Sequence, residues 1–206
     1  AGGETLVNMM TLNMLIGSGG VLSHAPRRQQ AALMLIDAFQ PEGITRLAVD
    51  SIFMMPQLGV LSQVHAKAAK EVFDKDCLIH LGTCISPVGD SKPGKPIMKY
   101  KFELPGGKTE QGELKYGEMI KIDLGFDSET DLPLKAKAVP EPDRGFDVGA
   151  GKGSHLETTV SGGVSGLIVD GRGRPFSPPE NNKERVESLI KWMTDLDVYN
   201  EDALRG

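Results

Sequence analysis

The chain has 206 residues, 39% of them hydrophobic and 25% charged, with a net charge of −5. This is the composition of an ordinary globular protein, long enough for one large domain or two small ones. The negative balance argues against nonspecific binding to nucleic acid or anionic membranes, and 5% aromatic residues make a poor base-stacking platform. No apolar run approaches the roughly 18 residues of a membrane span. Two cysteines, Cys77 and Cys84, are too few for a disulfide framework, and free thiols suit a reducing cytoplasm. The amino end, Ala1-Gly2-Gly3-Glu4, carries neither an initiator Met nor a signal peptide, so a fragment of a longer protein is expected.

In chain order, residues 12–16 read as a short strand that stops at Gly17. The glycine cluster Gly17-Ser18-Gly19-Gly20 follows. A helix is predicted over 26–39, with Ser23 as cap candidate, Pro26 in the first turn, and Ala32, Leu35, Ile36 and Phe39 on one face. Pro41-Glu42-Gly43 breaks it. Residues 44–49 read as a buried strand ending at Asp50. A second helix spans 57–73, with Leu58, Leu61, His65, Ala68 and Val72 along one stripe, and 77–85 is a strand closed by Pro87. Beyond about residue 90 the composition changes. Gly, Pro and Lys punctuate short alternating segments at 97–104, 118–124, 134–139, 156–160 and 164–169, as in a compact β-barrel or sandwich. Pro178-Pro179 opens a terminal helix over 179–197, with Val186, Leu189, Ile190 and Met193 on its buried face. The expected organisation is therefore an α/β part at 1–90, a β-rich domain at 91–178 and a C-terminal helix at 179–206.

The glycine cluster carries the chemistry. Strand, glycine loop and helix bring bare main chain against a flat ring or a phosphate, and helix amides add positive character. A tight strand-to-helix turn is the plain alternative. His24, beside the loop, can touch a base or ribose, but a lone histidine more often bonds within its own loop. Arg27 and Arg28 oppose the helix dipole slightly, so a phosphate would explain them and solvent exposure is the simpler default. Asp50 stands at the carboxyl end of a strand, where α/β folds place ligands, and is equally a turn or cap residue.

The order of these elements, with a helix carrying Met55-Pro56-Gln57-Leu58-Gly59-Val60-Leu61 after Asp50, resembles the last part of the actin, sugar-kinase and heat-shock ATPase superfamily. Three blocks sharpen this. They are Ile16-Gly17-Ser18-Gly19-Gly20-Val21-Leu22-Ser23-His24-Ala25-Pro26 with Pro41-Glu42-Gly43-Ile44-Thr45, then Gly145-Phe146-Asp147-Val148-Gly149-Ala150-Gly151, then the run from Gly162-Gly163-Val164-Ser165 to Arg172-Gly173-Arg174-Pro175. They resemble the glutamate mutase accessory protein family over nearly the whole chain. The resemblance implies part of an actin-like ATPase subdomain that binds ATP or ADP, with Gly17, Ser18, Gly19, Gly20, Ser23 and His24 at the adenosine. It also implies a reactivating chaperone whose partners are the subunits of a cobalamin-dependent aminomutase.

One family feature is missing. The superfamily needs an early Asp-x-Gly-Ser/Thr motif to hold Mg²⁺ and the terminal phosphates, and none precedes Gly17. Asp123-Leu124-Gly125-Phe126 and the run Asp147 to Ser154 come after the loop, in the wrong order, and read as turns. The chain is therefore expected to be the carboxy-terminal part, without ATP hydrolysis of its own, the Mg²⁺ arriving with a missing amino-terminal lobe. A second reading makes the β-rich segment a module that docks a client enzyme, with no nucleotide activity. A third makes the loop only a turn.

The remaining candidates are weaker. Cys77, His80 and Cys84 are soft ligands, and strand alternation places His80 and Cys84 on one face and Cys77 on the other, with no fourth ligand near. Glu141, Asp143 and Asp147 do acid–base work only if a cleft holds them, and otherwise serve solubility. Arg172-Gly173-Arg174-Pro175 can grip a partner's carboxylate, or is a mobile turn after the 164–169 strand that does nothing specific.

Overall fold

A computed structural model describes residues 7–205; the amino-end tetrapeptide lies outside the described residues. The chain is α/β, followed by a β-rich region and a C-terminal helix, in three layers: helices, a five-stranded sheet, and a four-stranded sheet.

The first sheet has the order β1 (Met14–Gly17), β2 (Gly43–Asp50), β3 (Leu78–Ser86), β9 (Leu167–Asp170), β6 (Met119–Ile122). β1 and β2 are parallel, joined through α1 (Gly20–Ser23) and α2 (Arg28–Phe39). The second sheet has the order β5 (Thr109–Lys115), β4 (Pro96–Glu103), β7 (Lys135–Pro142), β8 (Thr158–Ser161), all antiparallel. Strands β6 and β9 come from the β-rich stretch of sequence yet complete the sheet that β1 to β3 begin. β9 shows why: its four residues, Leu-Ile-Val-Asp, are all buried, as a strand covered on both faces must be.

Two cores follow from this layering. On one face of the first sheet, Ala31, Ala32, Leu35 and Ile36 of α2 meet Leu47, Val49, Leu81, Cys84 and Ile168. On the other, Ile85, Leu167 and Val169 meet Ile97, Phe102, Leu114, Ala138 and Val160 from the second sheet. α4 (Asn182–Asp195) closes the helical side, where Trp192 packs into the first core and donates its indole N–H to the Gly117 carbonyl at 2.8 Å. Asn181 caps α4 by accepting from the Lys183 and Glu184 amides.

α3 (Met55–Val72) behaves differently from the other long helices. Only Leu58 and Ala69 are buried along it, and Val60 and Val64 stand 68% and 83% exposed. The chain leaves helical geometry at His65, whose Nδ1 accepts from the Ala68 amide and so caps the second half. The stripe expected from Leu58 to Val72 is thus broken in the middle. α3 runs into a π turn, Phe73–Cys77, and a last short helix, α5 (Glu201–Arg205), ends the chain. Among the described residues no helix is long and apolar enough to cross a membrane.

A bulge in β3 changes which side chains share a face. Leu47 pairs with Gly82 and Ala48 with His80, so Leu81 is the extra residue. One inserted residue reverses the alternation beyond it. Cys84 therefore joins the helix-side core while His80 lines a cleft with Phe126 and Leu132. The expectation that His80 and Cys84 share a face fails for this reason. The loop 162–166 lies directly on the bulge: the Ser165 amide donates to the Leu81 carbonyl at 2.7 Å and the Val164 amide to the His80 carbonyl at 3.0 Å. A Cβ on Gly82, whose φ is +147, would land on the Gly166 carbonyl oxygen. Three glycines, Gly82, Gly163 and Gly166, thus let two backbones touch.

Candidate functional site

The glycine loop leaves the carboxyl end of β1, and the pairing of Gly17 with Val49 sets it beside the end of β2. Within the loop the glycines do different things. Gly17 is buried, and a Cβ there would lie 2.5 Å from Leu22 Cδ1 and 2.9 Å from Leu35 Cδ2. Its missing side chain makes room for α1 and α2 to sit on the sheet. Gly19 has φ +111 and nothing within 4 Å of where a Cβ would stand. Gly20 is nearly as open, its nearest neighbour being His24 Nδ1 at 3.9 Å. Bare main chain facing open space is therefore found at Gly19 and Gly20, not at Gly17.

Ser23 and His24 are turned onto the loop itself. Ser23 Oγ donates to the Gly19 carbonyl at 3.1 Å and lies 3.0 Å from His24 Nδ1. His24 Nδ1 is also 3.2 Å from the Gly20 carbonyl. Arg28 donates to the Ser23 carbonyl at 2.8 Å, which accounts for its place without a phosphate. Arg27 lies over the Tyr199 ring, 5.4 Å from its centroid. The helix start also differs from expectation. Ser23 ends the short α1 instead of capping α2; Arg27 occupies the α2 cap position, its amide donating to Gln30 Oε1, and Pro26 precedes the helix. Ser18 is the loop's uncommitted group: its hydroxyl is shielded from solvent and has no hydrogen-bond partner among the described residues. Buried hydroxyls normally find one.

Asp50 sits next to this loop, buried, with its carboxylate accepting from the Ile52, Met54 and Met55 amides at 3.3–3.4 Å. It serves the entry to α3. Asp147 does similar work at its turn, accepting from Gly149 and Gly151 at 2.7 and 3.0 Å. Cys77 and Cys84 are free buried thiols, and burial first, then the Asp170 charge, pushes Cys84 up to about 11, so it stays protonated and unreactive near neutrality. Among the described residues no three His, Cys, Asp or Glu side chains converge as metal ligands.

Beside the loop runs a mostly apolar groove of about 780 Å³, beginning at Val21 and walled by Leu33, Met34, Met193 and Tyr199. Its polar groups are Gln30, bonded to the Tyr199 hydroxyl, and Asp37. Few polar groups in an apolar trough is the usual make-up of a small-molecule site. Sequence reasoning missed it because α2 and the end of α4 are about 160 residues apart in the chain.

Behind the groove lies a buried charge cluster, also unforeseen. Asp170 accepts from Arg172 Nε at 2.9 Å, Arg172 Nη2 at 3.0 Å and Arg174 Nη2 at 2.7 Å, all with side chains 1% exposed or less. Arg172 also reaches Asp37 at 2.7 Å and stacks on Phe176 and Trp192, 4.4 and 5.0 Å from their ring centroids. Arg174 donates to the Pro41 carbonyl and to Ser86 Oγ. The turn is neither mobile nor open to a partner's carboxylate: its arginines are buried on carboxylates of their own chain. Burial alone would raise Asp170, but Arg172 and Arg174 more than offset it and hold the carboxyl at about 2. Asp37 goes the other way: burial outweighs the pull of Arg172 and, more weakly, Arg174, and pushes it up. The cluster ties β9, α2, β3 and α4 together at the groove's back wall.

Comparison with known proteins gives one match. A family model described as MutL protein matches residues 3–77, a stretch that holds the glycine loop, α1, α2, β2 and α3. Neither curated proteins nor solved structures give a match. At the coarse level that the match supports, the amino-terminal third of this chain is similar to a nucleotide-binding, ATPase-type family.

Proposed function

We propose that this chain is the carboxy-terminal, nucleotide-binding part of an actin-like, chaperone-type ATPase that reactivates a cobalamin-dependent aminomutase in the cytoplasm. The observation that carries the reading is the main chain at Gly19 and Gly20, open to space at the carboxyl end of a parallel strand pair and next to an apolar groove. The family match spans the same loop. Adenosine of ATP or ADP lies against Gly19 and Gly20, with Gly17 giving the loop its path, Ser18 holding an unspent hydroxyl, and Ser23 and His24 fixing the loop's shape. Phosphate and Mg²⁺ contacts belong to an amino-terminal lobe outside this chain. Nucleotide state biases closure of the two parts, and closure alters the grip on the mutase subunits.

Calorimetric titration with ATP, ADP and adenosine tests this. Weak binding of all three and negligible turnover are expected. Gly20→Leu is the decisive variant, because Gly20 has room for a side chain and helical geometry. It should fold and lose adenosine binding. Undiminished binding in that variant, or substantial turnover that survives repurification, overturns the reading.

A second reading is a client-docking module in the β-rich segment without nucleotide activity. It is favoured by β5, a seven-residue strand that ends the second sheet and, among the described residues, has an unpaired outer edge. Deleting 91–178 cannot test it, since β6 and β9 would leave the first sheet. Gln111→Pro, which blocks edge pairing, should abolish client pull-down if this reading holds and leave it intact otherwise.

A further inference from the structure

A separate cleft of about 360 Å³ opens at the seam between the two sheets, on the side of the first sheet away from the glycine loop's helices. Ile44, Arg46 and Thr83 stand on one face, since Arg46 pairs directly with Thr83 and Ile44 lies two residues before Arg46 on β2. From the second sheet, Thr158 and Thr159 of β8 close the other side, with Leu156 and Val148 completing apolar walls.

Arg46 is the anomaly. Its neighbours on this face, Ile44 before it on β2 and Thr83 beside it on β3, are uncharged, yet the chain sets a permanent cation here. Among the described residues its guanidinium has no ion-pair or hydrogen-bond partner, and no acidic side chain lines the cleft. Nearby carboxylates are engaged elsewhere: Asp147 on the Gly149 and Gly151 amides, Glu157 on Lys137 at 2.8 Å. Thr83 Oγ1 is spent stitching the sheets, donating to the Ser161 carbonyl at 2.8 Å. Among the described residues the Thr158 hydroxyl makes no hydrogen bond, and it shares its face of β8 with the buried Val160, whereas Thr159 turns to the outer face beside Lys137. In a protein of net charge −5, the cleft is a local patch of charge +1 with free donors and aliphatic walls.

We propose that this seam binds a small organic acid, its carboxylate held by the Arg46 fork and the Thr158 hydroxyl, its aliphatic body against Ile44, Val148 and Leu156. Arginine matches a carboxylate with two parallel N–H donors, and the apolar walls favour an acid with a hydrocarbon body over a bare inorganic anion. The site is independent of the nucleotide reading and stands or falls without it.

The test is amide NMR on the whole chain, titrated with 4-methylpentanoate, with 4-methylpentanamide as the uncharged analogue and with inorganic phosphate. Saturable shifts at Arg46, Thr83, Thr158 and Thr159 are expected with the acid, and binding about tenfold weaker in Arg46→Gln, as loss of a charge-assisted contact implies. Arg46 is exposed, so the variant should fold. Should it not, Thr158→Val, nearly isosteric and on an edge strand, carries the same comparison. Absence of saturable shifts, equal binding of the amide, equal binding of phosphate, or affinity unchanged in the variants overturns the proposal.

Discussion

Replacing Asp170 by Asn should strip the fold of a large part of its stability. Asp170 accepts four hydrogen bonds, three from guanidiniums and one from the Arg172 amide at 3.0 Å. The depression of its carboxyl from 3.8 to about 2 corresponds to about 2 kcal/mol in favour of the ionised form in the fold. Asparagine does worse than a neutral acid, because it leaves two buried guanidiniums short of an anion and turns an N–H toward one of them. Breaking a buried pair in this way costs about 3–5 kcal/mol. For a chain of this length, that lowers Tm by roughly 6–20 °C. Guanidinium unfolding followed by Trp192 fluorescence is the natural assay, because Trp192 is the only tryptophan and lies 5.0 Å from Arg172. The denaturant slope should not change, and the loss should persist in high salt, since buried pairs are poorly screened. A loss below about 1 kcal/mol at unchanged slope would refute the view that this cluster holds the helices to the sheet.

Acid should find the same cluster. Because the folded-state value of Asp170 lies below its unfolded one, its stabilisation is complete above about pH 4 and disappears as pH falls toward 2; wild type should lose more stability over that window than Asp170→Asn, and parallel curves would contradict it. Asp37, pushed up by burial, has the opposite sign and recovers a little stability on protonation, so Asp37→Asn should be far milder than Asp170→Asn in the same unfolding assay. Gly82→Ala should fail to give soluble folded protein, as its Cβ collides with the Gly166 backbone; a well-dispersed NMR spectrum would show that the bulge can relax. Ser18→Ala removes a hydroxyl that has no partner among the described residues, so stability should fall by less than about 0.5 kcal/mol or rise slightly; a loss above about 1 kcal/mol would mean that the hydroxyl has a partner in solution.

What the sequence determined by itself is the succession of local elements and the loop between β1 and α2. Alternation and helical spacing locate most strands and helices within a few residues, because each side chain's preference for one face is a local property. The glycines at 17–20 mark the chain's change of direction for the same reason, but only packing distinguishes Gly17, pressed by Leu22 and Leu35, from the open Gly19 and Gly20. Tertiary structure alone decided the rest. β6 and β9 join the first sheet because β9 is apolar on both faces and fits only a central position. The bulge at Leu81 turned Cys84 away from His80, a one-residue slip that no periodicity reports. Arg172 and Arg174 look like a polar surface turn in sequence; burial became affordable only when Asp37, 135 residues away, and Asp170 closed around Arg172. Charges and clefts are assembled from distant residues, and their physics is set by neighbours that linear order does not reveal.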